Sequence, residues 1–366
     1  MIEVINNMRV IISAGGTGGH IYPALSIVDK IKEMEPDSEF LYIGTHNRME
    51  NDIVPKRGIP FKSIEIYGFS KKILKNMKTV SCVFKSYKEC KKIIKEFNPD
   101  VVIGVGGYVT SPVIYAAKKL GYKTVIHEQN SLPGKSNKFL SKYSDLICVS
   151  FKSTVNSFPS SKTIFTGNPC SEDALSKKPI KKSVYGISDS RKMVLIVTGS
   201  LGSSCVNDYI VKSFDLFSDK SYDVLFVTGK AFYDDVVKNS CPSNVHVVPY
   251  VDGLGGLLKN TDLIVSRAGA STISEIVALG IPSILIPSPY VANNHQFKNA
   301  LVLVNCNASI MIEEKDLKDD ILVKKIDEIL NDSDKINEMK KNLKTLMIDN
   351  SASLIYQGIK DLVDRK

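Results

Sequence analysis

No stretch of the 366-residue chain approaches the ~20 consecutive apolar residues that a helix needs to cross a bilayer. The two longest uncharged stretches, residues 101–117 and 276–297, are broken by Gly, Pro, Ser and Asn. Residues 1–7 lack the basic start and long apolar body of a secretory signal. No Cys-x-x-Cys pair occurs; the seven cysteines (82, 90, 148, 170, 205, 241, 306) are scattered, as expected of reduced thiols in a cytosolic protein. No His/Cys/Asp cluster has metal-ligand spacing, and neither a short-period repeat nor a low-complexity tract is present. These absences exclude transmembrane, secreted, collagenous and disordered classes. What remains, 43% hydrophobic and 24% charged, is an ordinary globular composition. The length fits two domains at roughly 100–200 residues each.

Short β-branched runs alternate with longer amphipathic stretches, the pattern of a parallel α/β sheet. Strand-like runs fall at residues 9–14, 40–44, 101–105, 124–127 and 146–149, then restart at 193–198, 224–228, 245–248, 263–266 and 283–286. Between the two series, residues 157–190 are rich in Ser, Lys and Pro and read as a hinge, with the boundary near residues 168–176. The expected organisation is two doubly wound domains: 1–169, 170–344, and a closing segment 345–366. From about residue 315 the chain reads as Lys-rich helix.

Each half opens with a strand and a glycine turn. The first is Gly15-Gly16-Thr17-Gly18-Gly19-His20, followed by Pro23, which suits the first turn of a helix. The free N–H groups of such a helix start attract anions or polar oxygens. The spacing is not Gly-x-Gly-x-x-Gly, because position 21 is Ile, and the second strand ends in Gly44-Thr45 without an acidic ribose ligand, so a nicotinamide site fits poorly. An imidazole such as His20, exposed in a cleft, titrates near neutral pH and can take a proton from a hydroxyl; a helix-start His that only bonds its loop is the plainer reading. The second turn, Thr198-Gly199-Ser200-Leu201-Gly202-Ser203, lacks the Gly-Lys-Ser/Thr of a Walker loop but can cradle a pyrophosphate with amides and hydroxyls. Further on, Arg267-Ala268-Gly269-Ala270-Ser271 leads into a helix expected from about Ser271. Glu275 falls one turn in, able to grip two ribose hydroxyls or simply to favour the helix dipole. A cluster of amides, Asn293, Asn294, Gln296 and Asn299, opens another helix and suits the hydroxyls of a sugar.

The His-bearing turn, His127-Glu128-Gln129-Asn130, Gly167-Asn168-Pro169, the Ser200 turn, the 267–275 run and the 293–296 cluster stand in an order that resembles the bacterial N-acetylglucosaminyltransferases acting on undecaprenyl-pyrophosphoryl-muramyl-pentapeptide, over about residues 8–350. The resemblance implies two Rossmann-like domains facing a cleft (the GT-B fold), with a C-terminal helix returning to the first domain. It implies an inverting hexosyltransferase of peptidoglycan synthesis that moves N-acetylglucosamine from UDP-N-acetylglucosamine to the 4-hydroxyl of the muramyl sugar, lipid I becoming lipid II. Carried over by position, the Val251 backbone meets the uracil, Ser200 the phosphates, and Ala270, Ser271, Thr272, Ile273, Ser274 and Glu275 the pyrophosphate and ribose. Gln296 and Asn299 contact the sugar. Thr17, Gly18, Gly19 and Asn130 contribute from the other domain, with His20 and Glu128 in catalytic positions and Tyr108 lining the acceptor side. Relatives often carry Arg after the Gly-Asn-Pro turn, where this chain has Cys170-Ser171, so that contact is not assigned. Residues 1–7 lie outside the pattern, which leaves Met8 as an alternative start.

The implied chemistry needs a base near the nucleophile and positive potential near the departing pyrophosphate, which helix N-termini can supply without a metal or other cofactor. The one Asp-x-Asp pair, Asp332-Ser333-Asp334, reads as a helix N-cap. Residues 62–95 hold ten Lys against two Glu, interleaved with Ile66, Tyr67, Phe69, Phe84 and Tyr87. Such a surface suits an anionic inner-leaflet membrane, and a lipid-linked acceptor would require peripheral docking on the cytoplasmic face. A solvated Lys-rich helix face is the plainer alternative. A nucleic-acid partner is not expected, since no recognised DNA- or RNA-binding motif accompanies the basic stretch. A transferase for another lipid, or a UDP-sugar-binding or epimerising protein of the same fold, stays open on the residues alone.

Overall fold

The computed structural model describes residues 7–67, 73–199 and 202–365, and within its third helix the side chains from residue 82 onward. The chain divides into two compact units, residues 1–170 with 350–366, and residues 171–349.

The first unit carries seven strands: β1 (Arg9–Ser13), β2 (Glu39–Thr45), β3 (Phe61–Ile64), β4 (Val101–Gly104), β5 (Lys123–Glu128), β6 (Leu146–Val149) and β7 (Thr163–Phe165). They form one parallel sheet in the order β3-β2-β1-β4-β5-β6-β7. Its helices are α1 (Gly18–Met34), α2 (Glu50–Lys56), α3 (Ile73–Phe97), α4 (Thr110–Lys119) and α5 (Lys135–Leu140). At the junction lies α6 (Cys170–Ser176).

The second unit has β8 (Lys192–Val197), β9 (Tyr222–Val227), β10 (Val245–Val248), β11 (Leu263–Ser266), β12 (Ser283–Leu285) and β13 (Ile310–Met311), parallel in the order β10-β9-β8-β11-β12-β13. Between and after them run α7 (Ser204–Lys212), α8 (Tyr233–Val236), α9 (Leu254–Leu258), α10 (Ala270–Leu279), α11 (His295–Val304), α12 (Ile321–Leu330) and α13 (Ser333–Leu346). The last helix, α14 (Ser351–Asp364), belongs to the first unit.

Alternation along β1 shows why both faces are covered. Val10 and Ile12 pack with Ile21, Leu25 and Val28 of α1 and with Ile355 and Ile359 of α14, whereas Ile11 packs with Cys90 and Ile94 of α3 and Val113 and Ala117 of α4. A strand buried on both sides reads as a continuous apolar run, and each such side chain contributes about 1.5–3 kcal/mol when fully buried. The expected return of the C-terminal helix is therefore an apolar contact with α1. It is reinforced by Tyr356, whose hydroxyl donates to Glu35 at 2.9 Å, and by Ser351, which donates to the Asn168 carbonyl at 2.7 Å.

The ten expected strands are present. Three more, β3, β7 and β13, lie at sheet edges and are short and only partly buried, so no long apolar run announces them. Pro23 is a correction: α1 begins at Gly18, and Pro23 lies in its second turn, where it forfeits one helical hydrogen bond. Asp332 caps α13 as expected, accepting from the Lys335 N–H at 2.9 Å. Among the described residues no helix is long and apolar enough to cross a membrane.

Candidate active site

In an open parallel sheet, ligands bind beyond the C-terminal strand ends where the strand order reverses. That point lies between β1 and β4 in the first unit and between β8 and β11 in the second. The residues singled out in each half gather at these ends.

In the first unit the turn after β1 meets the turn after β4. The Gly15 N–H donates to the Gly106 carbonyl at 3.2 Å. Gly106 and Gly107 have φ of 115° and 90°, a region that glycine alone enters without strain. A Cβ on Gly107 would stand 2.5 Å from the Gly15 carbonyl oxygen, a backbone clash, and one on Gly106 would stand 2.5 Å from Cδ2 of His20, so that the ring would have to shift. The half-buried His20 ring thus lies against bare backbone. Its Nδ1 is 3.2 Å from the Gly15 carbonyl oxygen, an acceptor only, so Nδ1 carries the hydrogen. Thr17 and Gly19 are exposed at the start of α1 and Gly18 is buried. Tyr108 is 63% exposed beside the second turn.

Beneath the glycine turn lies a group that the sequence reading missed. Glu50, in the first turn of α2, is fully buried. Its Oε2 accepts from the Gly16 N–H at 3.2 Å, and its Oε1 accepts from the Thr45 N–H at 3.1 Å and from the Thr45 hydroxyl. Its only sequence signal was an acid placed shortly after the second strand.

The His127–Asn130 segment closes β5. His127 is buried, and burial lowers its pKa to about 4. The ring is therefore neutral, with contacts to the Gly167 carbonyl (3.2 Å) and the Gln129 amide (3.1 Å). Gln129 in turn donates to the Val105 carbonyl, tying β5 to the turn after β4. Glu128 is also buried: Oε1 accepts from the backbone and side-chain amides of Asn130 (3.0 and 3.2 Å), and Oε2 from Gly134 N–H and the Asn137 amide (3.0 and 2.9 Å). With both oxygens engaged, this carboxylate holds the loop after β5 and the first turn of α5. To accept a proton it would first have to surrender those bonds.

In the second unit Ser200 lies outside the described residues. Around it, Thr198 bonds Asn207 of α7 (3.0 Å), and Asn207 donates to the Thr228 carbonyl (2.9 Å). Arg267, after β11, spans the edge: it donates to Ser203 Oγ at 2.5 Å and to the Ile286 carbonyl at 3.1 Å, and it pairs with Glu314 at 2.6 Å. Side-chain exposures of 11% and 6% make this a buried ion pair.

Helix α10 starts at Ala270, one residue before the expected Ser271, with Gly269 as its cap. Ala270 and Ile273 are buried, whereas Ser271, Thr272 and Ser274 are half-buried. Ser274 donates back to the Ser271 carbonyl at 2.7 Å. Glu275 is half-buried, and desolvation, with Asp173 adding to it, pushes its carboxyl up to about 8. Val251 is buried in the segment after β10. Gln296 holds the β12–α11 connection by accepting from the Ser288 N–H at 2.8 Å. Asn299 is fully buried and donates to the Ala268 carbonyl at 3.3 Å, so it shapes the turn before α10 from beneath. Direct sugar contact, as first expected of Asn299, would require that turn to move. Cys170, where the Arg of relatives was sought, is a buried thiol 3.9 Å from Ser26 Oγ.

The glycosyltransferase family 28 N-terminal domain matches residues 10–149, and the family's C-terminal domain matches residues 193–355. The chain belongs to glycosyltransferase family 28. Within it, the chain is 48% identical to a UDP-N-acetylglucosamine–N-acetylmuramyl-(pentapeptide) pyrophosphoryl-undecaprenol N-acetylglucosamine transferase of Bacillus cereus, over 98% of this chain and 100% of that one. It is 46% identical to the transferase of the same name from Bacillus licheniformis, over 97% and 99%. The crystal structure of Acinetobacter baumannii MurG superposes with a TM-score of 0.77 at 25% identity, covering 97% of this chain and 99% of that one. The GT-B pair of parallel sheets is thus the family 28 fold, and the two matched domains correspond to the two sheets.

Proposed function

We infer that this family 28 chain transfers N-acetylglucosamine from UDP-N-acetylglucosamine to undecaprenyl-pyrophosphoryl-N-acetylmuramyl-pentapeptide, converting lipid I to lipid II in peptidoglycan synthesis. The observation that carries this is near-complete, 48% identity to a transferase of that name. The two sheet edges supply the chemistry it needs.

At the second unit's edge, the uracil is held by the backbone at Val251 and the pyrophosphate by the Ser200 turn and the start of α10. Hydroxyl donors favour the ionised form of a carboxyl, so the ribose draws Glu275 out of its neutral state as it binds. Gln296 faces the sugar, and Asn299 fixes the turn. At the first unit's edge, Thr17, Gly18, Gly19 and Asn130 contribute substrate contacts, and Tyr108 lines the acceptor side. His20 takes the proton of the 4-hydroxyl as that oxygen attacks the anomeric carbon and UDP departs from the opposite face. Glu128 acts by shaping the loop after β5 and the first turn of α5.

Docking on an anionic leaflet accounts for the basic stretch. Lys85 and Lys92 are 74% and 78% exposed, with Phe84 beside them 66% exposed. Lys71, Lys72, Lys75 and Lys78 of the same stretch lie outside the described side chains. Each Lys near such a surface is worth about 1 kcal/mol.

The test is transfer of labelled N-acetylglucosamine from its UDP donor to a short-chain lipid I analogue. Disaccharide product is expected. Tight UDP binding without product would reopen the acceptor, and sugar-nucleotide turnover without acceptor would replace the reading by an epimerase. Sedimentation with anionic vesicles but not neutral ones, at low salt, is the result expected for the docking surface; equal binding to both would remove it.

A further inference from the structure

The buried Glu50 is not used by the chemistry above, yet one peptide group connects it to His20. The N–H of Gly16 and the carbonyl of Gly15 belong to the same trans peptide, so they point in opposite directions. On one side the N–H donates to Glu50 Oε2 (3.2 Å); on the other the carbonyl accepts from His20 Nδ1 (3.2 Å). The space around this peptide is shaped for that purpose. A Cβ on Gly15 would stand 2.6 Å from Glu50 Oε1, and one on Gly44 would stand 2.8 Å from Glu50 Cγ. The carboxylate thus fits against bare backbone on two strands' ends, and it is fully buried.

We propose that Glu50 is a positioning residue that acts on His20 through the Gly15–Gly16 peptide, holding that peptide's plane so that its carbonyl keeps the hydrogen on Nδ1 and leaves the lone pair on Nε2. The proposal rests on the reading of His20 as the base. Which imidazole nitrogen carries the proton is set by the bond that the other makes. A negative charge on the donor side of an amide also polarises its carbonyl, strengthening the bond to Nδ1–H. The arrangement is a carboxylate–peptide–imidazole relay of orientation; no proton passes along it. Glutamine at position 50 would keep the volume, but its amide would turn a donor toward either the Gly16 or the Thr45 N–H.

The test combines imidazole 15N spectra of His20, at a pH where the ring is neutral, with steady-state transfer by the full chain. The wild-type ring is expected to be protonated at Nδ1. Glu50→Gln should mix the tautomers and lower kcat about 10- to 100-fold, the range seen when a metal-ligating imidazole loses its outer partner, with UDP affinity unchanged. Glu50→Gln combined with His20→Ala should be no slower than His20→Ala alone. A wild-type ring protonated at Nε2, or a Glu50→Gln variant with unaltered tautomer or unaltered kcat beside an inactive His20→Ala, overturns the proposal. Wild-type turnover in His20→Ala removes the base reading itself, and the catalytic part of this one with it. Should Glu50→Gln fail to fold, Glu50→Asp, which withdraws the charge by one methylene, is read the same way with a smaller expected loss.

Discussion

The two sheet edges use the same device, a strand, a glycine-rich turn and a helix N-terminus at the point of strand reversal, and furnish it differently. At the first edge the charges are carboxylates, Glu50 and Glu128, both buried and both satisfied mostly by N–H donors. Across the Gly15–Gly16 peptide from Glu50 lies the His20 imidazole, its Nδ1 3.2 Å from the Gly15 carbonyl oxygen. At the second edge the buried charges form an ion pair, Arg267 with Glu314, and the half-buried groups are the hydroxyls of Ser271, Thr272 and Ser274, the Gln296 amide and the Glu275 carboxyl. On the function proposed above, the first edge orients a proton acceptor and the second holds a shape for an anionic, hydroxyl-rich ligand. A shared topology therefore says where a site lies, and the electrostatics of the turns say what it does.

Breaking the second edge should have the largest effect on the fold. Arg267→Met leaves Glu314 buried without its partner, which typically costs 3–5 kcal/mol; a matching fall in denaturant midpoint is expected. Adding Glu314→Met should restore most of that stability, because a buried pair is replaceable by apolar side chains. UDP affinity, expected to fall in Arg267→Met because Ser203 in the glycine turn loses its donor, should stay low in the double variant. Full recovery of both would show that the pair is structural alone.

The first edge should respond in rate. Gly106→Ala places a side chain at φ 115° and against the His20 ring, at a cost on the order of 1–3 kcal/mol in backbone strain. We expect kcat to fall about 2- to 13-fold if half of that cost goes into displacing His20, with UDP affinity kept. Unchanged kcat would mean that the ring's seat is irrelevant.

A pH-dependent effect sharpens the comparison from the side of Glu275. Its carboxyl is raised to about 8 in the folded chain, so between the unfolded value of about 4.3 and pH 8 the folded state binds the extra proton. Stability then falls as pH rises through that window. Glu275→Gln should remove this slope, melting near the wild-type temperature at pH 5 and above it at pH 8. A variant no more stable at pH 8 would place the carboxylate in a better-solvated setting than its surroundings indicate.

Much of this was readable from the residues, for a physical reason in each case. Strands covered on both faces advertise themselves as apolar runs, and nine were legible that way; the edge strand β10 was legible from its Val-rich run Val245–Val248, whereas β3, β7 and β13, short and half-covered at the edges, were not. His20, Glu275 and the glycine turns were visible because their residue types are unusual after a strand. Glu50 was invisible because its role depends on three donors brought from the ends of two other strands. The buried seat of Asn299 was hidden for a similar reason, since an amide at a helix start reads alike whether it faces ligand or core. Pro23 misled because proline favours a first turn, whereas here the glycines before it already belong to the helix.

The division of labour between the edges is tested most directly by titrating UDP into His20→Ala and Glu275→Ala alongside transfer to a lipid I analogue. The account predicts that His20→Ala binds UDP as the wild type does while kcat falls about 10²–10⁴-fold, the usual contribution of a positioned base. It predicts that Glu275→Ala loses UDP affinity first. Weakened UDP binding in His20→Ala with intact turnover at saturation, or undiminished binding in Glu275→Ala, would contradict it.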